Sequence, residues 1–330
     1  MEQRTLGVAG PVSAVGLGCM GMSGAYGPTD RAEAIATIHA ALDAGITLLD
    51  TGDFYGMGHN ELLIAEALRG RDRDQVVLSV KFGGLRDPGG AFLGFDGRPA
   101  AVKSSLAYSL QRLDTDHVDV YRPARLDPDV PIEETVGAVA ECIEAGWVRH
   151  LGLSEVGADT IRRAHAVHPV ADVQLEYSLM SRGIEGKVLP ATRELGIATT
   201  AYGALSRGLL SGNWSPDRPL APGDFRAHAP RFAPDNVAAN LALVDALRQV
   251  ATDVGATVAE VAMAWVASRG DDIVPVIGAR TTDQLDGVLR AVELTLDEVQ
   301  LAAVEAAVPA DAVAGTRYGA PQMAGLDSES

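Results

Sequence analysis

Eight short apolar runs, each followed by a stretch with helical signals, constrain this chain more than any other feature. The runs occupy residues 15–18, 47–50, 76–81, 118–121, 150–154, 170–175, 198–202 and 273–277, and most end at a polar residue or a glycine. Helix starts are marked by Asp30, Asn60, Pro99 and Pro131, and helix ends by Gly45 and Gly146, following the usual preference for caps and proline at the start and glycine at the close. Strands apolar on both faces and separated by helices belong to a parallel sheet covered by helices. Eight such units predict an α/β fold, a (β/α)8 TIM barrel, as one domain over residues 1–330. Ahead of it, the Gly-rich AGPVS turn within residues 6–15 predicts a small N-terminal β-hairpin. A Pro-rich segment at 213–236 is too long for an ordinary connection and is expected to be a lid or substrate loop. The irregular tail after Pro309 is expected to reach the barrel mouth.

Charge and cysteine usage narrow the class. The net charge is −17, with no basic run, which argues against nucleic acid or an anionic membrane as partner. No stretch approaches the roughly 18 apolar residues of a membrane span, and the first residues lack the pattern of a secretory signal. Two cysteines, Cys19 and Cys142, cannot build a disulfide framework or a metal cage. A cytoplasmic setting is therefore expected, and the Asn213-Trp214-Ser215 sequon carries no weight there.

Gly16-Leu17-Gly18-Cys19-Met20-Gly21 satisfies the GxGxxG pattern of dinucleotide folds. The context does not, because such a turn must open a helix at once to meet the pyrophosphate. Here SGAYGPT, with Pro28, intervenes. The expected role is a glycine-rich βα loop that lets a ligand approach the backbone.

Lys81 is one of three lysines among 27 basic residues, and it ends an apolar strand. A lysine there needs a partner, and Asp50, ending LLD on the preceding strand, is placed to supply one at the C-terminal face where such barrels carry active sites. Tyr55 follows on a Gly-flanked loop at the same rim. An adjacent ammonium favours phenolate and so lowers a tyrosine pKa from its usual ~10. Asp50, Lys81 and Tyr55 together read either as a proton-donating site or as a structural ion pair beside a packed ring. The seven histidines show no HExxH, and His165 with His168 are read as surface residues at a helix end.

The strings LLDTGDFYGMGHNELLIAEAL, LSVKFG, GLSE at 152–155 and AYGALSRGLLSG at 201–212 resemble, in order and spacing, the aldo-keto reductase superfamily. The resemblance implies a barrel that binds NADPH without a dinucleotide fold and reduces a small-molecule aldehyde or ketone, with catalytic residues Asp50, Tyr55 and Lys81. Tyr55 would be the proton donor, Lys81 would lower its pKa, and Asp50 would hold Lys81. It places Ser154, Glu155 and Gln174 at the nicotinamide amide and Tyr202 against the nicotinamide face. It places Gly203, Leu205, Arg207, Gly208 and Leu210 in a loop closing over the pyrophosphate, with Arg207 as countercharge, and Gly278, Arg280 and Gln284 near the 2′-phosphate and adenine.

Three positions depart from the family pattern. Ala124 in YRPARLDP stands where the family carries its catalytic histidine, and His117 begins the same strand at the opposite end. The substrate is then oriented by Tyr55 alone, or Arg122, two residues before Ala124, supplies the missing charge, or turnover is lost and the barrel is an NADPH-binding module. Arg122 reads equally as a buried structural partner of a carboxylate. Glu155 stands where many members have asparagine, and Leu285-Asp286-Gly287-Val288 lacks the residues that commonly read adenine.

Overall fold

The computed structural model of the chain describes every residue except 216, 218, 219, 221–223 and 330. Its frame is a closed barrel of eight parallel strands: β1 (Gly16–Gly18), β2 (Leu48–Gly52), β3 (Val77–Phe82), β4 (Val118–Pro123), β5 (Val148–Ser154), β6 (Val170–Glu176), β7 (Ala198–Tyr202) and β8 (Ile273–Gly278). Each strand pairs with its sequence neighbour, and β8 closes on β1 through Val276↔Gly16 and Gly278↔Gly18. The eight expected runs are the eight strands, with ends shifted by up to two residues.

Helices α1 (Arg31–Asp43), α2 (His59–Leu68), α3 (Pro99–Leu113), α4 (Ile132–Glu144), α5 (Ala158–Val167) and α6 (Val188–Glu194) follow the first six strands in turn. Between β7 and β8 lie α7 (Pro234–Val254) and α8 (Val258–Ala267), and β8 leads into α9 (Thr282–Glu293) and α10 (Glu298–Ala307). Asp30 caps α1 by accepting from the Glu33 amide, and Thr257 with Glu260 forms a reciprocal capping box on α8. No single helix among the described residues is both long and apolar enough to cross a membrane.

The hairpin differs from expectation. Its strands are Gln3–Thr5 and Pro11–Ser13, and the reversal occurs over residues 6–10 rather than at AGPVS. Leu6 explains the shift, because it is buried against Val12, Leu48, Val120, Ala198, Val274 and Val276 as part of the barrel floor. Gly7 has φ +53, and a Cβ on it would lie 2.2 Å from the Ala171 carbonyl oxygen, so only glycine lets the turn press on the floor. A second hairpin, Gly84–Arg86 with Phe92–Phe95, follows β3 and stands on the rim. No strand pattern in the sequence marks it, although DPGG at 87–90 is a turn signal.

Alternation along the strands decides what the barrel contains, since side chains two residues apart share a face. In β2, β3 and β6, Asp50, Ser79, Lys81, Asp172 and Gln174 are buried and linked by hydrogen bonds, while Leu49, Leu78, Val80, Val173 and Leu175 join the apolar layer under the helices. The result is an apolar floor, a polar middle and a charged mouth. Glycines of the GxGxxG string serve this packing. A Cβ on Gly16 would lie 2.8 Å from Leu48 Cδ2, and one on Gly21 would press the Arg280 side chain at 3.2 Å. A short 3-10 turn at Met20–Ser23 follows β1, and the helix begins only at Arg31, as the rejection of a dinucleotide fold requires.

Candidate active site

Asp50 and Lys81 meet inside the barrel, where Lys81 Nζ donates to Asp50 Oδ2 at 2.5 Å with both side chains 6% exposed. Asp50 Oδ1 also accepts from Ser79 Oγ at 3.0 Å and from Gln174 Nε2 at 2.8 Å. The carboxylate is thus saturated by three donors from β3 and β6, which is the condition for keeping a buried charge stable. Burial lowers the Lys81 pKa, Asp50 opposes that, and the Arg122 charge adds to the lowering.

Tyr55 reaches this pair from the turn after β2. Gly56, Met57 and Gly58 all have positive φ, which turns the chain sharply from Tyr55 into α2. Gly52 leaves space for the approach, because a Cβ there would lie 3.3 Å from Lys81 Cβ and 3.4 Å from Tyr55 Cε1. Lys81 Nζ sits 5.4 Å from the centre of the Tyr55 ring, within cation–π range, and Phe54 braces the ring edge-on at 4.9 Å. Burial raises the Tyr55 pKa well above its ordinary value, Asp50 raises it further, and the leading opposing charge is Arg125 rather than Lys81. The sequence assigned that lowering to Lys81. In the fold the Lys81 ammonium is ion-paired with Asp50.

Arg122 is fully buried below the site. It donates to Asp172 Oδ2 at 2.8 Å, to Thr200 Oγ1 at 3.2 Å and to Ser79 Oγ at 2.9 Å. Gly152 gives it room, since a Cβ there would meet Asp172 Oδ1 at 2.7 Å and Arg122 Cζ at 3.2 Å. Of the two readings open for Arg122, the geometry supports the structural one. Through Ser79 it also anchors Asp50, so the site rests on a continuous hydrogen-bonded floor. Ala124 is buried just beyond β4, donating its N–H to the Phe82 carbonyl at 2.9 Å.

A second cluster, around Glu155, Glu176 and the C-terminal tail, covers the other side of the mouth. Glu155 has φ +55, and its carboxylate accepts two hydrogen bonds from Arg317, at 2.9 and 2.5 Å, and one from Ser328 at 2.7 Å. Burial alone would raise the Glu155 pKa, but the Arg317 bonds and charge, with Arg125 and Ser328, hold it at about 2. Glu176 binds Arg207 at 2.7 Å and has Arg231 and Arg317 at 3.6 Å. Tyr318 shares a 3.0 Å hydrogen bond with Tyr202 and accepts one from Arg125 at 3.1 Å. The tail therefore does reach the mouth.

The residues expected around a cofactor fall into three places. Ser154, Gln174 and Tyr202 stand at the C-terminal ends of β5, β6 and β7, where a hydroxyl, an amide and a flat ring suit a nicotinamide amide and face. Gly203, Leu205, Gly208 and Leu210 form the turn after β7, in which Ser206, Arg207 and Gly208 all carry positive φ. Arg207 turns inward to Glu176 and the Arg317 carbonyl, so its charge is already matched. Gly278, Arg280 and Gln284 lie at the β8–α9 junction, apart from the acid site. Arg280 Nη1 donates to the Tyr26 carbonyl at 3.2 Å, and Gln284 accepts from the Arg280 amide at 2.9 Å. The donor set fits a nicotinamide nucleotide, with a cation at a helix start for its phosphate end.

The profile of the Aldo/keto reductase family matches residues 14–309. The chain belongs to this family. A probable aldo-keto reductase 1 from Glycine max is 40% identical over 308 residues, covering 93% of this chain and 88% of that protein. A glycerol dehydrogenase from Gluconobacter oxydans superposes with a TM-score of 0.84 at 30% identity, over 92% of this chain and 94% of that one. An aldo-keto reductase from Bacillus halodurans in its holo form gives 0.77 at 29% identity, over 94% and 97%. As an aldo-keto reductase, the protein is an oxidoreductase that uses a nicotinamide cofactor on small-molecule carbonyl compounds.

Two of this reductase's rim residues escape the sequence reading. Arg125 follows Ala124 directly, and Glu176 continues the inward alternation of Asp172 and Gln174, so each had a positional signal. Neither had a chemical one, because their partners come from distant segments: Ser154 and the tail's Tyr318 for Arg125, and Arg207, Arg231 and Arg317 for Glu176.

Proposed function

We propose that this aldo-keto reductase reduces an aldehyde or ketone to the alcohol with NADPH, Tyr55 giving the proton. The observation that carries the reading is the buried Asp50–Lys81 pair directly beneath the Tyr55 ring. A bound dihydronicotinamide would supply a hydride to the carbonyl carbon. Tyr55 donates its phenolic proton to the carbonyl oxygen as negative charge develops there, and water later restores that proton. Lys81 holds a positive charge against the ring, and Asp50 fixes Lys81 while Ser79 and Gln174 fix Asp50. Ser154, through its hydroxyl, and Gln174, through its Oε1, would orient the nicotinamide amide, with Tyr202 beneath the ring. Arg280, at the start of α9, favours a 2′-phosphate and hence NADPH over NADH. The two buried free cysteines accord with a cytoplasmic setting.

The test is NADPH consumption by the purified protein across aldehydes, keto-steroids, quinones and sugar carbonyls. Turnover on at least one class is expected. Saturable NADPH binding with no turnover across the whole panel would overturn the reading.

A further inference from the structure

Ala124 has no donor to offer a substrate, yet its neighbour has. Arg125 lies just past the end of β4, in the strand whose Arg122 pairs in register with Lys81. Its Nη1 donates to the Ala124 carbonyl at 2.6 Å and to Ser154 Oγ at 3.4 Å, and its Nη2 to Tyr318 OH at 3.1 Å. These partners are all neutral. Arg122, Arg207, Arg226, Arg231 and Arg317 around the barrel interior and mouth each have a carboxylate within 4.0 Å. Among the described residues Arg125 has none, and Nε–H and one Nη2–H have no acceptor.

Arg125 is half-buried and feels the Glu155 charge without an ion-pair contact to it, so its guanidinium stays free of a bonded carboxylate beside the acid site. Its charge also opposes the effect of burial on Tyr55. Ser154 ties it to the side of the mouth where the nicotinamide amide would lie.

We infer that Arg125 is a catalytic residue here, donating N–H to the substrate's carbonyl oxygen as that oxygen becomes negative. This rests on the reductase reading and deepens it. In the step, a C–H bond forms from the hydride, the C=O π pair moves to oxygen, and oxygen takes the proton from Tyr55. Arg125 stabilises that oxygen and the resulting phenolate and exchanges no proton, because guanidinium stays protonated throughout the working range. An imidazole in this role would titrate near ~6.5. The arginine does not, so the rate carries no histidine-like loss between about pH 6 and 8.

The experiment uses Arg125→Gln, Arg125→Ala and Arg125→Lys in the full chain, with circular dichroism and NADPH titration as controls for fold and cofactor binding. Two readouts are taken. In the first, NADPH consumption with a neutral aldehyde should fall on the order of 100-fold in kcat for Arg125→Gln, as when one oxyanion donor is removed. NADPH affinity should stay near that of wild type, and added guanidinium should restore part of the rate to Arg125→Ala. In alcohol oxidation, the rise in rate with pH should move upward in Arg125→Gln, since a cation facing the phenolate is gone. In the second readout, which needs no turnover, benzoate serves as a planar stand-in for the oxyanion on the NADP-loaded protein. Wild type should bind it measurably more tightly than Arg125→Gln, with Arg125→Lys between. Unchanged benzoate binding, or a kcat unchanged for neutral aldehydes while only acidic substrates lose affinity, overturns the inference. Failure of the reductase reading appears separately, as bound NADPH that no carbonyl consumes while benzoate still distinguishes the variants.

Discussion

The two sides of the barrel mouth are built by different rules. On one side, Asp50, Ser79, Lys81 and Gln174 are strand residues, fixed by the pleat and by the register between neighbouring strands. On the other, Arg125, Glu155, Arg317 and Tyr318 come from loops and a tail that meet over as many as 193 positions of sequence. The strand side is saturated with hydrogen bonds. The loop side is held by the Arg317–Glu155 ion pair and by the hydrogen bonds of Tyr318 to Arg125 and Tyr202. The contrast implies that the first side, joined by Arg125 from the second, sets the chemistry, and that the rest of the second side sets access and binding.

Breaking the strand side should have the largest effect. Lys81→Met leaves Asp50 buried without its cation, and kcat should fall by roughly 10^2 to 10^4, the range for losing acid–base assistance. Stopped-flow NADPH consumption measures it, and a rate within tenfold of wild type would erase the distinction between the sides. Next is the floor. Asp172→Ala strips the carboxylate from the fully buried Arg122, and breaking such a pair costs about 3–5 kcal/mol. Urea unfolding should show the loss, and a stability unchanged within error would mean that the floor bears little of the fold's weight.

The loop side predicts smaller effects of another kind. Arg317→Ala should expose the tail to proteolysis and alter NADPH affinity, while single-turnover chemistry changes by less than about tenfold. The same clamp has a pH signature. The folded-state Glu155 carboxyl lies at about 2, below its unfolded value of about 4.3, so its contribution is complete above that upper value and disappears as pH falls toward the lower. Tail protection should persist at pH 4 and vanish near pH 2. Disappearance already at pH 5 would contradict the pairing.

Asp53, two residues before Tyr55, gives the smallest effect. Burial and then the Glu61 charge push its pKa up to about 7, and the Gly83 amide only partly offsets them. A carboxyl raised on folding binds its proton more tightly folded than unfolded, so it destabilises progressively from about pH 4 up to about 7. Asp53→Asn should therefore raise Tm more at pH 8 than at pH 5, by a few degrees at most. An equal shift at both pH values would show that the carboxyl is not buried as described.

Legibility in the sequence follows the same division. All eight strands could be read because each is a short, mostly apolar run between helical segments, and Asp50 and Lys81 stood out as charges at their ends. Tyr55 was visible from its Gly-flanked loop. Arg122 was ambiguous, since a buried arginine looks the same in sequence whether it meets a substrate or Asp172. Arg125 was passed over because its significance lies in what it lacks, a carboxylate, and absence of a partner is not written in the residue or its neighbours. The tail clamp was foreseen only as a location. Arg317 finding Glu155 depends on a chain path across the mouth that no local pattern encodes.

The most direct test of the account is Tyr55→Phe, which removes one oxygen from the phenol above the Asp50–Lys81 pair and little else. Single-turnover NADPH consumption should become undetectable or fall by at least about 10^2-fold while NADPH binds as in wild type. A variant that still reduces carbonyls at a rate close to wild type would place the proton donor elsewhere and contradict the account.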